Sequence, residues 1–231
     1  MQASTLFVCD TNGRLRFIRE PGYEEPELDP APRFWMGRTL EGNVCRFRYD
    51  LSADLVRDLE QICRSEPPAA NVAELPLTAT TIRAALHAQA PIMQEQRGPA
   101  YWIPDNIHVP RVQVVLVSEA NAYLLKANFP WKQISPSGVK TGPLVAAVAG
   151  GSAVSICYCA RLTAVAAEAG VKTVESARGH GYAGAAVAGW ASAVRQCGLL
   201  PLYSTSWANV ASWRVARKLG MVCYGEDWSI T

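Results

Sequence analysis

The sequence predicts an α/β protein built on a mixed α+β sheet, and three observations carry that prediction. Strand-like and helix-like segments alternate from Val112 to the end of the chain. The first third holds a hairpin signal and a capped amphipathic helix. Residues 178–184 read Arg-Gly-His-Gly-Tyr-Ala-Gly, a glycine-rich turn between a strand and a helix of small residues. The 231 residues are long for one domain and short for two large ones, and they suffice for a sizeable core. The texture changes near residue 110, so residues 1–110 are expected to form an N-terminal accessory α+β region and residues 111–231 the principal domain.

The elements follow in order. Asn12-Gly13 between apolar runs signals a hairpin. Residues 20–32, rich in Pro and Glu, read as an exposed loop. Residues 43–50 alternate like a strand. Ser52 can cap a helix over residues 53–66, with Leu55, Leu59 and Ile62 on one face and Pro67-Pro68 stopping it. A second helix is expected from about Thr80 to Gln89, stopped by Pro91. Residues 98–106, Gly-Pro-Ala-Tyr-Trp-Ile-Pro-Asp-Asn, read as a turn-rich aromatic linker.

Beyond it, residues 112–117 read as a strand, 119–128 as a short helix and 129–143 as a loop. Gly150-Gly151 separates strands over 144–148 and 153–159. Residues 169–176 form another strand, then a helix runs from Tyr182 to Cys197. A strand over 199–207 carries Pro201 near its start. The helix over 209–220 ends at Gly220, and residues 221–231 close as a strand or hairpin. There is no internal repeat.

Composition excludes several classes of function. With 49% hydrophobic and 18% charged residues the chain is an ordinary soluble globular sequence. A net charge of +2 without a Lys/Arg run makes neither nucleic acid nor an anionic membrane an obvious partner. Residues 1–10 lack a basic segment ahead of an apolar run, which argues against a secretory leader and for a cytoplasmic protein. Pro143–Ala160 is uncharged and near membrane-spanning length, but Ala149-Gly150-Gly151-Ser152-Ala153 at its middle reads as a turn. The seven cysteines have no framework spacing, and Cys157 and Cys159 fall on one face of a strand. His87, His108 and His180 are far apart, so no metal site is announced.

The glycine-rich turn carries the functional signal. A helix N-terminus exposes unpaired N–H groups and favours anions, and glycines let the backbone approach a phosphate. A tight turn with glycines kept for packing alone is the competing explanation. Gly179-x-Gly181-x-x-Gly184 matches the dinucleotide fingerprint, which requires an acidic residue about 20 positions on. After Glu175 no Asp or Glu occurs until Glu226, and 47 residues after Gly184 are too few to complete such a domain.

A second pattern fits better. Gly170-Val-Lys-Thr173 followed by Arg178-Gly-His-Gly-Tyr-Ala183, and then Asn209-Val-Ala-Ser212 with Lys218-Leu-Gly-Met221, resembles the GNAT acyltransferase superfamily, in its FR47-like version, from about Val112 to Thr231. The resemblance implies a GNAT fold and an acetyl-CoA-dependent N-acetyltransferase acting on a primary amine. It implies that backbone groups of Val171, Lys172 and Thr173 pair with the pantetheine arm of coenzyme A. It implies that N–H groups of Gly179, His180, Gly181, Tyr182, Ala183 and Gly184 hold the pyrophosphate, with Arg178 in contact or anchoring the loop. Asn209 is the further cofactor contact and Ser212 a weaker one.

Acetyl transfer needs a neutral amine, a polarised thioester and a proton for the leaving thiolate. Glu168, ten residues before Arg178 in an apolar segment, is the leading general base, and a solvated residue just before the strand is the alternative. Glu175 reads as a loop residue. Where many GNAT enzymes carry a Tyr as general acid, this chain has Ala216. Tyr203, Ser204, Ser206 or a water could replace it, or proximity alone could suffice. An inactive acyl-CoA-binding sensor or scaffold is the alternative that Ala216 keeps open. The acceptor is expected to be a small-molecule amine, a protein amine being the alternative, and a homodimer is compatible with the sequence.

Overall fold

The computed structural model describes residues 1–108, 110–132, 134 and 141–231. Of the loop expected over 129–143, residues 133 and 135–140 lie outside the described residues. The chain forms helix α1 (Gln2–Leu6), β1 (Phe7–Cys9), β2 (Leu15–Ile18), β3 (Phe34–Arg38), β4 (Asn43–Phe47), α2 (Ala53–Arg64), α3 (Ala79–Gln89) and β5 (Glu95–Trp102). It continues through β6 (Val114–Leu116), a 3-10 helix (Glu119–Leu125), β7 (Leu144–Ala149), β8 (Ser152–Leu162), β9 (Ala166–Thr173), α4 (Tyr182–Gln196), β10 (Leu200–Ser204), α5 (Val210–Leu219) and β11 (Val222–Ile230).

Among the described residues, nine strands make one mixed sheet in the order β4-β3-β11-β5-β10-β9-β8-β7-β6. Its neighbours are antiparallel except β9 and β10, which run parallel. Strands β1 and β2 pair separately as the hairpin that Asn12-Gly13 predicts, with Gly13 at φ 75°. The expected boundary at 110/111 thus falls within one sheet: β3, β4 and β5 precede it, yet β11 lies between β3 and β5.

Segment 98–106 is the clearest departure from the sequence reading. Its first residues complete β5, which lies between β11 and β10 in the middle of the sheet. Gly98 is there for close approach, not for a turn, because a Cβ on it would stand 1.6 Å from the Thr205 carbonyl oxygen. Pro99 contributes its carbonyl, which accepts from Thr205 N at 3.3 Å. Strand β3 and helix α1 were also not foreseen, and residues 119–125 form a 3-10 rather than an α-helix.

Strand register sorts the side chains into two faces. On one, α4, through Trp190, and α5 pack over Tyr203, Cys157 and Cys159, and α2 and α3 over Phe34, Met36, Trp228 and Ile230. On the other, α1 and the hairpin cover Trp35 through Ala3, Phe7 and Leu15. A buried charge cluster ties the two ends of the chain. Glu226 meets Arg38 at 2.9 Å and Arg97 at 2.6 Å, and Arg38 also meets Glu66 at 3.5 Å. Glu66 in turn accepts from Thr78 N at 2.9 Å, just ahead of α3.

Helix α2 starts where its cap predicts: Ser52 Oγ accepts from Leu55 N at 3.3 Å, and Leu59 is fully buried beneath. Ser52→Ala is therefore expected to cost about 1 kcal/mol in a urea unfolding titration, the usual loss for a serine cap.

Candidate active site

The glycine loop has the backbone of an anion cradle. After β9 a single 3-10 turn, Glu175–Ala177, leads into extended Arg178. Gly179 and Gly181 follow at φ 83° and 85°, conformations that an L side chain rarely adopts. Gly181 is the N-cap of α4, and the first bond into the helix runs from Ala185 N to Gly181 O at 3.0 Å. The N–H groups of Gly179 to Gly184 thus have no acceptor among the described residues. Gly184 is different, since a Cβ there would make only ordinary contacts with Pro110 and Leu219. Arg178 is exposed and reaches Glu175 at 3.9 Å, and His180 Nδ1 lies 2.9 Å from Arg178 O.

The strand leading to this loop offers a free edge. Strand β9 pairs with β10 only at Ala166, Ala167 and Glu168, but with β8 as far as Thr173. From Ala169 through Val171 and Lys172 to Thr173, one edge has no ladder partner, so its amides and carbonyls are available. The Thr173 hydroxyl itself is held by Ser155 Oγ at 2.7 Å.

Asn209 and Ser212 have local partners. Asn209 caps α5, its Oδ1 accepting from Ser212 N at 3.1 Å. The Ser212 hydroxyl hydrogen-bonds the Tyr203 hydroxyl, and burial pushes the Tyr203 phenol up to about 12. Ala216 is fully buried in the core beside Trp190, Tyr203 and Leu219.

Glu168 lies inside β9, not ahead of it, because the strand begins at Ala166. It is 4% exposed, and among the described residues neither carboxylate oxygen has a hydrogen-bond partner. Burial penalises its charged form and raises its pKa to about 7, with nearby Ser204, Arg161 and Gln2 pulling the other way. The solvated alternative is thereby replaced by a desolvated carboxyl.

The structure sets a second acid beside it. Asp227 of β11 is pushed up to about 8, first by desolvation and then by repulsion from Glu168. Gln2 of α1 donates to Asp227 Oδ2 at 3.0 Å, and the Tyr224 hydroxyl donates to Gln2 Oε1. A cavity of about 350 Å³ opens here, lined by Arg161, Ser204, Ser206 and Asp227 together with Phe7 and Trp35. Asp227 lines this cavity and Glu168 lies buried behind it, whereas another of about 370 Å³, between the 3-10 helix and Phe129, is lined by neither. Asp227, Gln2, Tyr224 and Arg161 were absent from the sequence reading, since each approaches Glu168 from another strand or from α1.

Among the described residues no group of three or more His, Cys, Asp or Glu is placed to hold a metal ion, and no helix is long and apolar enough to cross a membrane.

No protein-family model matches the chain, and no curated protein matches it by sequence. Solved structures do show distant likenesses. A GCN5-related N-acetyltransferase-like protein from Streptococcus suis has a TM-score of 0.47 at 15% identity, over 87% of this chain and 85% of that one. A GNAT-family protein of Novosphingobium aromaticivorans gives 0.46 at 16%, over 61% of this chain and 65% of that one. An acetyltransferase from the GNAT family of Colwellia psychrerythraea gives 0.44 at 17%, over 64% and 63%. The chain thus spans just under two thirds of the latter two proteins.

Proposed function

We propose that this protein is a GNAT-superfamily N-acetyltransferase that uses acetyl-CoA and acetylates a primary amine of a small molecule. The observation that carries the proposal is the run of unpaired N–H groups from Gly179 to Gly184, set at the end of the same strand that holds buried Glu168. The FR47-like subtype rests on residues 170–183 and 209–221 alone.

The residues fit the cofactor that the reading requires. The unpaired amides and the helix dipole suit its pyrophosphate, and the bare backbone at Gly179 and Gly181 leaves room for it. The free edge at Val171, Lys172 and Thr173 suits its amide-bearing arm. Acetyl-CoA, when bound, supplies an acetyl group activated as a thioester. The chain's own residues supply the rest. Glu168, poised near neutrality, accepts the amine proton so that the nitrogen lone pair is free. Burial and repulsion from Glu168 hold Asp227 in its protonated form to higher pH, so of the two neighbouring carboxyls Glu168 is the first to ionise and serve as base. Ser204 and Ser206 line the same cavity and are the hydroxyls available to return a proton.

An inactive acyl-CoA-binding domain is the second reading, favoured by one feature: Ala216 is core, so no phenol stands at that position. Calorimetric titration of Gly181→Val with acetyl-CoA tests the cofactor assignment common to both. A valine at φ 85° strains the cradle, and affinity is expected to fall about tenfold, or about 1.4 kcal/mol, with the fold retained. Unchanged affinity removes the loop from the cofactor site.

A further inference from the structure

We infer that the acceptor is a small amino acid with an apolar side chain, its carboxylate held by Arg161 and its amine received at Asp227, beside buried Glu168. The cavity is charged in a way that a plain amine does not match. Strand β8 carries a bulge between Cys159 and Arg161. Without it, Arg161 would follow Cys157 and Cys159 onto the face under α4. The bulge turns it to the opposite face, level with Glu168, where it lines the cavity.

There its charge is unanswered. Arg161 makes no ion pair among the described residues, and its one hydrogen bond runs from Nη1 to Ala160 O at 2.6 Å. Glu168 across the strand and Glu20 and Asp29 from the loop ahead of β3 act on it only at longer range. The other cation of the cavity, Arg97, is already engaged by Glu226. A partly buried guanidinium with four spare N–H donors is the standard receptor for a carboxylate, which it grips with two parallel bonds. A zwitterion answers both ends, whereas a simple alkylammonium leaves Arg161 unmatched.

Size and lining complete the match. At about 30 Å³ per water the cavity holds roughly a dozen water-sized units, the scale of a single amino acid. Leu6, Phe7, Ile18 and Trp35 supply an apolar wall for a side chain.

The proposal rests on the acetyltransferase reading for turnover but not for binding, so binding is the test. The full chain without acetyl-CoA is titrated calorimetrically with L-phenylalanine and phenethylamine, and with L-leucine and isopentylamine. Each pair differs only by the carboxylate. The amino acid of each pair is expected to bind about tenfold tighter or more, the worth of a charge-assisted bond. Arg161→Gln is expected to erase that preference while leaving amine affinity in place. Should Arg161→Gln fail to fold, Arg161→Lys keeps the charge without the fork and is expected to narrow the preference. Equal affinity within each pair, a preference that survives at Arg161→Gln or is undiminished at Arg161→Lys, or no binding of any of the four probes overturns the inference. A parallel acetyl-CoA titration keeps the two readings apart. Binding of acetyl-CoA with no amino acid preference sinks the acceptor alone, and amino acid preference without acetyl-CoA binding sinks the transferase alone.

Discussion

Glu168→Gln is expected to lower turnover by about 10²–10⁴-fold, the range for loss of a general base, with acetyl-CoA affinity nearly unchanged. The substitution keeps the side chain's shape and removes its proton acceptor. Its other consequences follow from the raised pKa. Glu168 titrates near 7 in the folded protein against an ordinary value of 4.5. The folded state therefore binds the proton more tightly than the unfolded chain. Stability linked to this group is fully present below about pH 4.5 and is lost as pH rises through about 7. Glu168→Gln removes that loss, so its melting temperature at pH 8 is expected to be no lower than that of the wild type. A structural role gives the opposite pattern: a lower melting temperature at every pH, and activity reduced only with the folded fraction. The acidic limb of the pH–rate profile should flatten in the variant as well. Wild-type turnover in a folded Glu168→Gln protein eliminates the residue. Tight acetyl-CoA binding by a wild type that acetylates no amine establishes the inactive reading instead.

A chain beginning at Arg111 is expected not to fold. The cut removes β5 from between β11 and β10, so both of those strands lose a neighbour. It removes β3, α2 and α3, which leaves Trp228 and Ile230, now fully buried, open to water. It also takes Tyr101 and Ile103 from the core under α4 and α5. Burying each such side chain contributes about 1.5–3 kcal/mol, so a few of them equal the whole stability of a typical domain. Circular dichroism during heating should show no cooperative transition, and acetyl-CoA should produce no stabilisation. A cooperative melt with retained acetyl-CoA binding would establish an independent domain over residues 111–231.

The parts of this molecule legible in the sequence are those with local causes. The Asn12-Gly13 turn, the Ser52 cap and the Gly220 stop each act within a few residues, and each is where the sequence places it. Glu168 is legible because it is the only acid between Glu119 and Glu175. Strand β5 is not legible, because Gly98-Pro99 normally punctuates a chain, and only the approach of Thr205 explains the glycine. Strand β3, buried on nearly every residue, lacks the alternation that marks a one-sided strand. Asp227 reads as a surface acid beside Glu226, and its relation to Glu168 exists only through strand order. Arg161 depends on a one-residue bulge, which no periodicity reports.

The place of β11 has a consequence for how the chain reaches this fold. It is the last strand in chain order, yet it is what joins the β4-β3 pair to the rest of the sheet. During synthesis β3 can pair with β4 early, but its other edge waits unfilled until some 185 residues later in the chain β11 has been made. Contacts of such long sequence separation slow folding, and an open strand edge is a template for pairing with another chain. At the speed of translation, about 5–20 residues per second, that edge stays open for roughly ten seconds or more. The nascent protein thus passes through a stage at which a chaperone or a neighbouring nascent chain competes with its own C-terminal strand.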